Sequence, residues 1–136
     1  MGEQFEASFP VRIGDINYGG HMGNDRFLLL FQDARLLFLQ SLGCSEADIG
    51  GGVGLIISEA RLRFKAEAFY GETLSVRVGI TNLRETRFTL VYEVHKVPDG
   101  TLVATGSTEL VGFDYGARRV RRLPEAFAER ARLLAQ

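Results

Sequence analysis

One segment narrows the folds open to this chain more than any other. Beginning at Asp25 and running to Gly43, the residues Phe27, Leu28, Leu30, Phe31, Ala34, Leu37, Phe38 and Leu42 recur at helical spacing. About eighteen helical residues would span about 27 Å. The segment is apolar around much of its circumference, so the helix is expected to be enclosed rather than laid against a surface. Asn24 or Asp25 suits its N-cap, and Gly43 suits its C-terminal stop. Asp33 and Arg35 are its main mid-helix charges. A chain of 136 residues can build one core and not two, so the rest of the sequence must be arranged around this helix.

The rest runs mainly at period two. Residues 5–13, FEASFPVRI, put Phe5, Ala7, Phe9, Val11 and Ile13 on one face, with Pro10 marking an edge or a bend. Residues 55–69, 71–83, 87–97 and 101–115 read as four more long strands. The last two of these are joined by the turn Pro98-Asp99-Gly100. Between helix and second strand, SEADIGGGVG is a loop with too many glycines to hold one conformation by itself. The tail PEAFAERARLLAQ reads as a short helix with Pro124 near its start. This order specifies an α+β fold and a single domain over residues 1–136: a five-stranded antiparallel sheet wrapped around one long helix, with a short C-terminal helix. One helix cannot cover both faces of five strands, so the outer face or the edges are expected to meet another subunit, in a homodimer or a homotetramer.

Composition removes several classes of function. A formal net charge of -1 is not that of a general nucleic-acid binder, which needs a net basic footprint. Cys44 is alone, so no intrachain disulfide can form, and a cytoplasmic setting is expected. The first residues, MGEQFEASFP, lack a basic region followed by an apolar run, and no stretch has the roughly 18 apolar residues of a membrane span. The opening Met-Gly does not make a myristoylation signal, because Glu6 stands where Ser or Thr is needed.

The polar chemistry is concentrated just before the helix. GDINYGGHMGND, residues 14–25, holds two aspartates, two asparagines, a histidine and four glycines. In the longer stretch VRIGDINYGGHMGNDRFLLLFQDAR the chain resembles the acyl-CoA thioesterases of the hotdog superfamily, in the branch typified by 4-hydroxybenzoyl-CoA thioesterase. That branch reads Asp, any residue, Asp, two residues, Gly, often His, then Asn at the start of the long helix. Asp15, Asn17, Gly20, His21 and Asn24 stand at those places. FKAEAFYGETLSV fits the family's entry into its third strand, and the resemblance extends to about Tyr115. It implies a hotdog fold and hydrolysis of an acyl-CoA or acyl-carrier-protein thioester to free acid and thiol, at a subunit interface. No metal is required, and no cofactor beyond the carrier on the substrate.

The residue types suit that chemistry independently. The first N–H groups of a helix are unpaired donors with partial positive charge, fit to hold an oxyanion. Glycines at 19, 20 and 23 would let a substrate carbonyl approach the backbone, with Met22 and Asn24 completing the substrate-binding segment. The departure from the family is at Asn17, where the branch carries its catalytic carboxylate. An amide is neither a general base nor a useful nucleophile, though it can orient water or donate to the carbonyl. The carboxylate must then come from elsewhere. Asp15 shares the side of Asn17 if the segment is extended. Glu67 falls where plant acyl-carrier-protein thioesterases, which the chain resembles in fold, carry a functional glutamate. Asp33 ranks behind both, and pairing with Arg35 or a neighbouring strand would account for it.

Each candidate has a plainer role open to it. Asp15 could bond its own turn, Glu67 could continue the solvated phase of Arg61, Arg63 and Lys65, and His21 could close the loop on backbone rather than accept a proton near neutrality. His95 and Cys44 read as structural, Cys44 because it follows a helix C-terminus, the wrong end for lowering a thiol pKa. Phosphates of coenzyme A could be met by Arg61, Arg63 and Lys65, by Arg84 and Arg87, or by the run Arg118, Arg119, Arg121 and Arg122, and nothing in the sequence chooses among them. Two other functions remain open. Asp15, Asn17 and His21 echo the Asp-x-Asn-Pro-x-His motif of hotdog enoyl-CoA hydratases, with the proline missing and the histidine one residue late. An acyl-CoA-binding module without catalysis would also be consistent with Asn17.

Overall fold

The computed structural model describes residues 5–135, so the Met-Gly start lies outside the described residues. Strand β1 covers Phe5–Pro10, helix α1 Asn24–Ser41, β2 Gly54–Phe64, β3 Thr73–Thr81, β4 Arg87–Val97, β5 Leu102–Asp114, β6 Arg119–Val120 and helix α2 Glu125–Leu134. The five long strands form an antiparallel sheet in the order β1-β3-β4-β5-β2, and β6 adds a two-residue pairing to β5 that period-two reading did not single out. This is the expected α+β arrangement.

The alternation along the strands sorts the sheet into two faces. Leu74, Val76, Val78 and Ile80 of β3 and Phe88, Leu90, Tyr92 and Val94 of β4 are all buried on the inner face, against α1. Helix α1 offers that face Phe27, Leu30, Phe31, Ala34, Arg35, Phe38 and Leu39, the i, i+3, i+4 stripe of a one-sided helix. Gly106 of β5 faces Phe31 directly, and a Cβ there would stand 2.5 Å from the phenyl ring. Its absence lets Phe31 lie flat against Tyr92, centroids 4.2 Å apart and rings within 5° of parallel. Helix α2 closes the end of the core at the C-terminus of α1, with Phe127 against Phe88 and Arg130 donating to the carbonyl of Leu42.

Four expectations change. Helix α1 is not enclosed: Leu28, Leu29, Leu36 and Leu37 are 41–45% exposed, because one sheet touches only one side of a helix. Its N-cap is Gly23, not Asn24 or Asp25, and the Asn24 side chain instead accepts the N–H of Asp25. The first strand stops at Pro10, and Ile13 opens a 3-10 turn to Asp15 with its side chain 70% exposed. The second strand ends at Phe64, so Glu67 sits in a loop and does not extend the phase of Arg61 and Arg63.

Arg35 is buried at the middle of α1, and Asp33 is not its partner. Its guanidinium bonds Glu46 of the glycine-rich loop and reaches the Tyr92 hydroxyl at 3.3 Å, while Tyr92 shares a 2.7 Å hydrogen bond with Thr108. Burial works against the charge on Arg35, but Tyr92 and Glu46 together outweigh it, and its pKa is raised. With Asp48 accepting from the N–H groups of Gly50 and Gly52, this tie gives the glycine-rich loop a conformation it could not hold alone.

Candidate active site

The loop before α1 is folded by its own polar side chains. Asp15 Oδ2 accepts the backbone N–H of Arg12 at 2.9 Å, closing the 3-10 turn. Asn17 Oδ1 accepts the N–H of Gly19, and Gly20, at φ +82°, donates its N–H to the carbonyl of Asn17. A left-handed residue is required there, which favours glycine. Gly23 donates to the carbonyl of Asp15, and a Cβ on it would meet Asp25 Oδ1 at 2.7 Å. The N–H groups of Gly19, Gly20 and Gly23 are therefore all engaged within the loop. None of the three is left to bond a substrate carbonyl, and what they contribute is conformation and the space of a missing Cβ.

A second segment, residues 65–68, runs alongside. Met22 donates its N–H to the carbonyl of Ala68 at 2.8 Å and bridges Ile16 on its other side. This pairing brings Glu67 to His21, with Nε2 and Oε2 3.8 Å apart. The two side chains are 35% and 62% exposed, so water reaches both. The other ring nitrogen, Nδ1, lies 3.1 Å from the carbonyl of Met22 and so must donate to it, leaving Nε2 as the acceptor in the neutral ring. Gly19 makes room for that nitrogen: a Cβ at 19 would stand 3.2 Å from it.

His21, Met22, Asn24 and Glu67 line one cavity of about 450 Å³, with Lys65, Ala66, Ala68 and the aromatic pair Phe27 and Phe64. The two rings meet edge-on at 5.3 Å and form part of the apolar wall with Met22, Ala66 and Ala68. Asn24, one of the lining residues, opens α1, and its N–H has no acceptor among the described residues. Its side-chain NH₂ is also free to donate, since Oδ1 is taken by Asp25. Asp15, Asn17, Gly19, Gly20 and Gly23 do not line this cavity, and Asp15 borders a neighbouring one. Phe27, Phe64 and Lys65 are lining residues that sequence reading did not place here. Phe27 carries the same signal as any core residue, and Phe64 and Lys65 looked like continuing strand. No group of three or more His, Cys, Asp and Glu among the described residues is placed to hold a metal ion.

The family model of the thioesterase-like superfamily matches residues 11–131. The chain belongs to that superfamily. It is 26% identical over 119 residues to an L-carnitine dehydrogenase/betainyl-CoA thioesterase of Rhizobium meliloti, an alignment covering 82% of this chain and 24% of that protein. The chain spans about a quarter of the length of the curated relatives it matches first. Among solved structures, a 1,4-dihydroxy-2-naphthoyl-CoA thioesterase from Synechocystis superposes with TM-score 0.86 at 24% identity, over 98% of this chain and 99% of that one. A Staphylococcus aureus protein in complex with CoA superposes with TM-score 0.86 at 21% identity, over 99% and 85%. At these identities the structural likeness establishes the hotdog thioesterase fold.

Proposed function

We propose that the chain hydrolyses the thioester of an acyl-CoA or an acyl carrier protein, and that His21 and Glu67 prepare the attacking water. The observation that carries this is their 3.8 Å juxtaposition in an apolar-walled cavity beside the open N–H of Asn24. A water about 2.8 Å from each of Nε2 and Oε2 can give one hydrogen to either and turn a lone pair toward the cavity. Attack on the thioester carbonyl pushes charge onto its oxygen, for which the open N–H of Asn24 at the positive end of α1 is the available donor. One such donor is typically worth about 3 kcal/mol. Collapse breaks the C–S bond, and the proton taken from water passes to the departing thiolate, giving acid and thiol. Lys65, which lines the same cavity, is a cation available to a substrate's carrier phosphates or acyl carboxylate.

The active form is proposed to be a homodimer or homotetramer whose second copy covers the exposed flank of α1 and the open side of the cavity. The four half-exposed leucines of α1 and Phe64 at the cavity rim, 50% exposed, support this. A cytoplasmic site of action is proposed on the single, unpaired Cys44; among the described residues no helix is long and apolar enough to cross a membrane. Thiol release from a panel of short, long, aromatic and dicarboxylic acyl-CoAs tests the activity, with turnover on at least one class expected. Loss of the enoyl absorbance of crotonyl-CoA without thiol release would replace hydrolysis by hydration, and saturable binding without turnover would make the chain a binding module.

A further inference from the structure

We propose that Met22 is a partition that limits the length of the acyl group, and that the space behind it is a latent, polar-ended extension of the acyl slot. This rests on the thioesterase reading above. Met22 lines two cavities at once: the 450 Å³ site beside His21 and Phe27, and a second of about 120 Å³ between the end of β1 and α1. Its side chain is all but buried, at 5% exposure. The backbone beneath it is pinned, by the bond to Ala68, the bridge to Ile16 and the contact of its carbonyl with His21 Nδ1. What divides the cavities is therefore an unbranched thioether chain, able to bend or be shortened without moving the loop that carries His21.

The second cavity is small and mixed in lining, apolar on one part and charged on another. Val11, Leu30 and Leu74 line it as apolar wall, and Arg12 and Arg26 stand at its border with Asp15 and Asp33. The carboxylate of Asp15 already accepts from the backbone of Arg12. Arg26 has only an exposed contact with Asp25 at 4.0 Å, and the Arg12 guanidinium has no ion pair among the described residues. The lining sets two guanidinium groups beside two carboxylates, so the cavity suits a polar, uncharged chain end that can both donate and accept, such as a hydroxyl. At roughly 30 Å³ per water-sized group, the second cavity holds about four non-hydrogen atoms, before the volume of the methionine side chain is added.

The test is kcat/KM for thiol release from a straight-chain acyl-CoA series, acetyl to dodecanoyl, and from the matching ω-hydroxyacyl-CoAs, for wild type, Met22→Ala and the near-isosteric Met22→Leu. Wild type is expected to favour compact acyl groups. Met22→Ala should move the optimum longer by about four carbons or more, with the long-to-short ratio rising about tenfold or more. The shift should be larger in the ω-hydroxy series, and Met22→Leu should keep the wild-type length profile. If Met22→Ala does not melt cooperatively, Met22→Val carries the comparison. A folded variant with the wild-type length profile overturns the partition. A wild type silent on every substrate counts against the thioesterase reading instead. The partition is then judged by calorimetric binding of non-hydrolysable S-alkyl-CoA ethers, whose length preference must shift in Met22→Ala.

Discussion

Tyr92 is the residue on which the interior polar network turns. It stacks on Phe31, accepts from Arg35 and shares a hydrogen bond with Thr108, all at 1% exposure. Tyr92→Phe keeps the stacking and strands two buried polar groups, so unfolding in urea should show a loss of about 1–3 kcal/mol. Burial raises the pKa of Tyr92 above its ordinary value of 10.0, against the opposing pull of Arg35 and Thr108. A folded-state pKa above the unfolded one means stability that is complete below about pH 10 and is lost as pH rises toward the folded value. The gap between wild type and Tyr92→Phe should therefore narrow above pH 10 in urea titrations repeated across that range; a gap that widens would contradict the assignment. Gly106→Ala probes the same spot from the sheet side. Its Cβ would also stand 2.6 Å from the carbonyl of Arg61, and a loss of about 1–3 kcal/mol or more in the same assay is expected.

At the scale of elements, the site is the meeting of a helix N-terminus with a loop that leaves a strand. The helix was legible because its apolar spacing is long and regular, and so were the inner faces of β3 and β4, where alternation holds residue by residue. The end of β2 was not: FKAEAF continues the alternation past Phe64, and what stops the strand is the pairing of residues 65–68 with Met22 and β5, which is tertiary. That one boundary moves Glu67 from a solvated strand position to a place beside His21. The internal bonding of the glycine loop was hidden for a similar reason. GDINYGGHMGND shows that the loop is permissive, while only the fold shows that Asp15, Asn17 and Gly23 spend their groups on each other. Gly23→Ala, which presses a methyl onto Asp25 Oδ1, should lower activity more than melting temperature, read by thiol release beside a thermal melt. An equal loss of both would make Gly23 a folding residue only.

For the whole molecule, a helix that is apolar on nearly every side and a sheet that contacts one side of it leave surface to be covered. Resemblance to a family pointed to an interface; the exposed flank of α1 says where on this chain it would form. Replacing Leu29 and Leu36 by Glu should convert an assembled wild type toward monomer in sedimentation velocity and reduce turnover with it, whereas an unassembled wild type would remove the proposed interface. The central claim concerns which carboxylate works. The most direct measurement is kcat for thiol release by wild type, Glu67→Gln and Asp15→Asn on the best acyl-CoA found. A general base of this kind is worth about 10²–10⁴-fold, so Glu67→Gln should fall by that factor while Asp15→Asn, whose carboxylate closes a turn and does not line the cavity of His21, stays within a few-fold when folded. Full activity in Glu67→Gln with collapse in a folded Asp15→Asn would contradict the account.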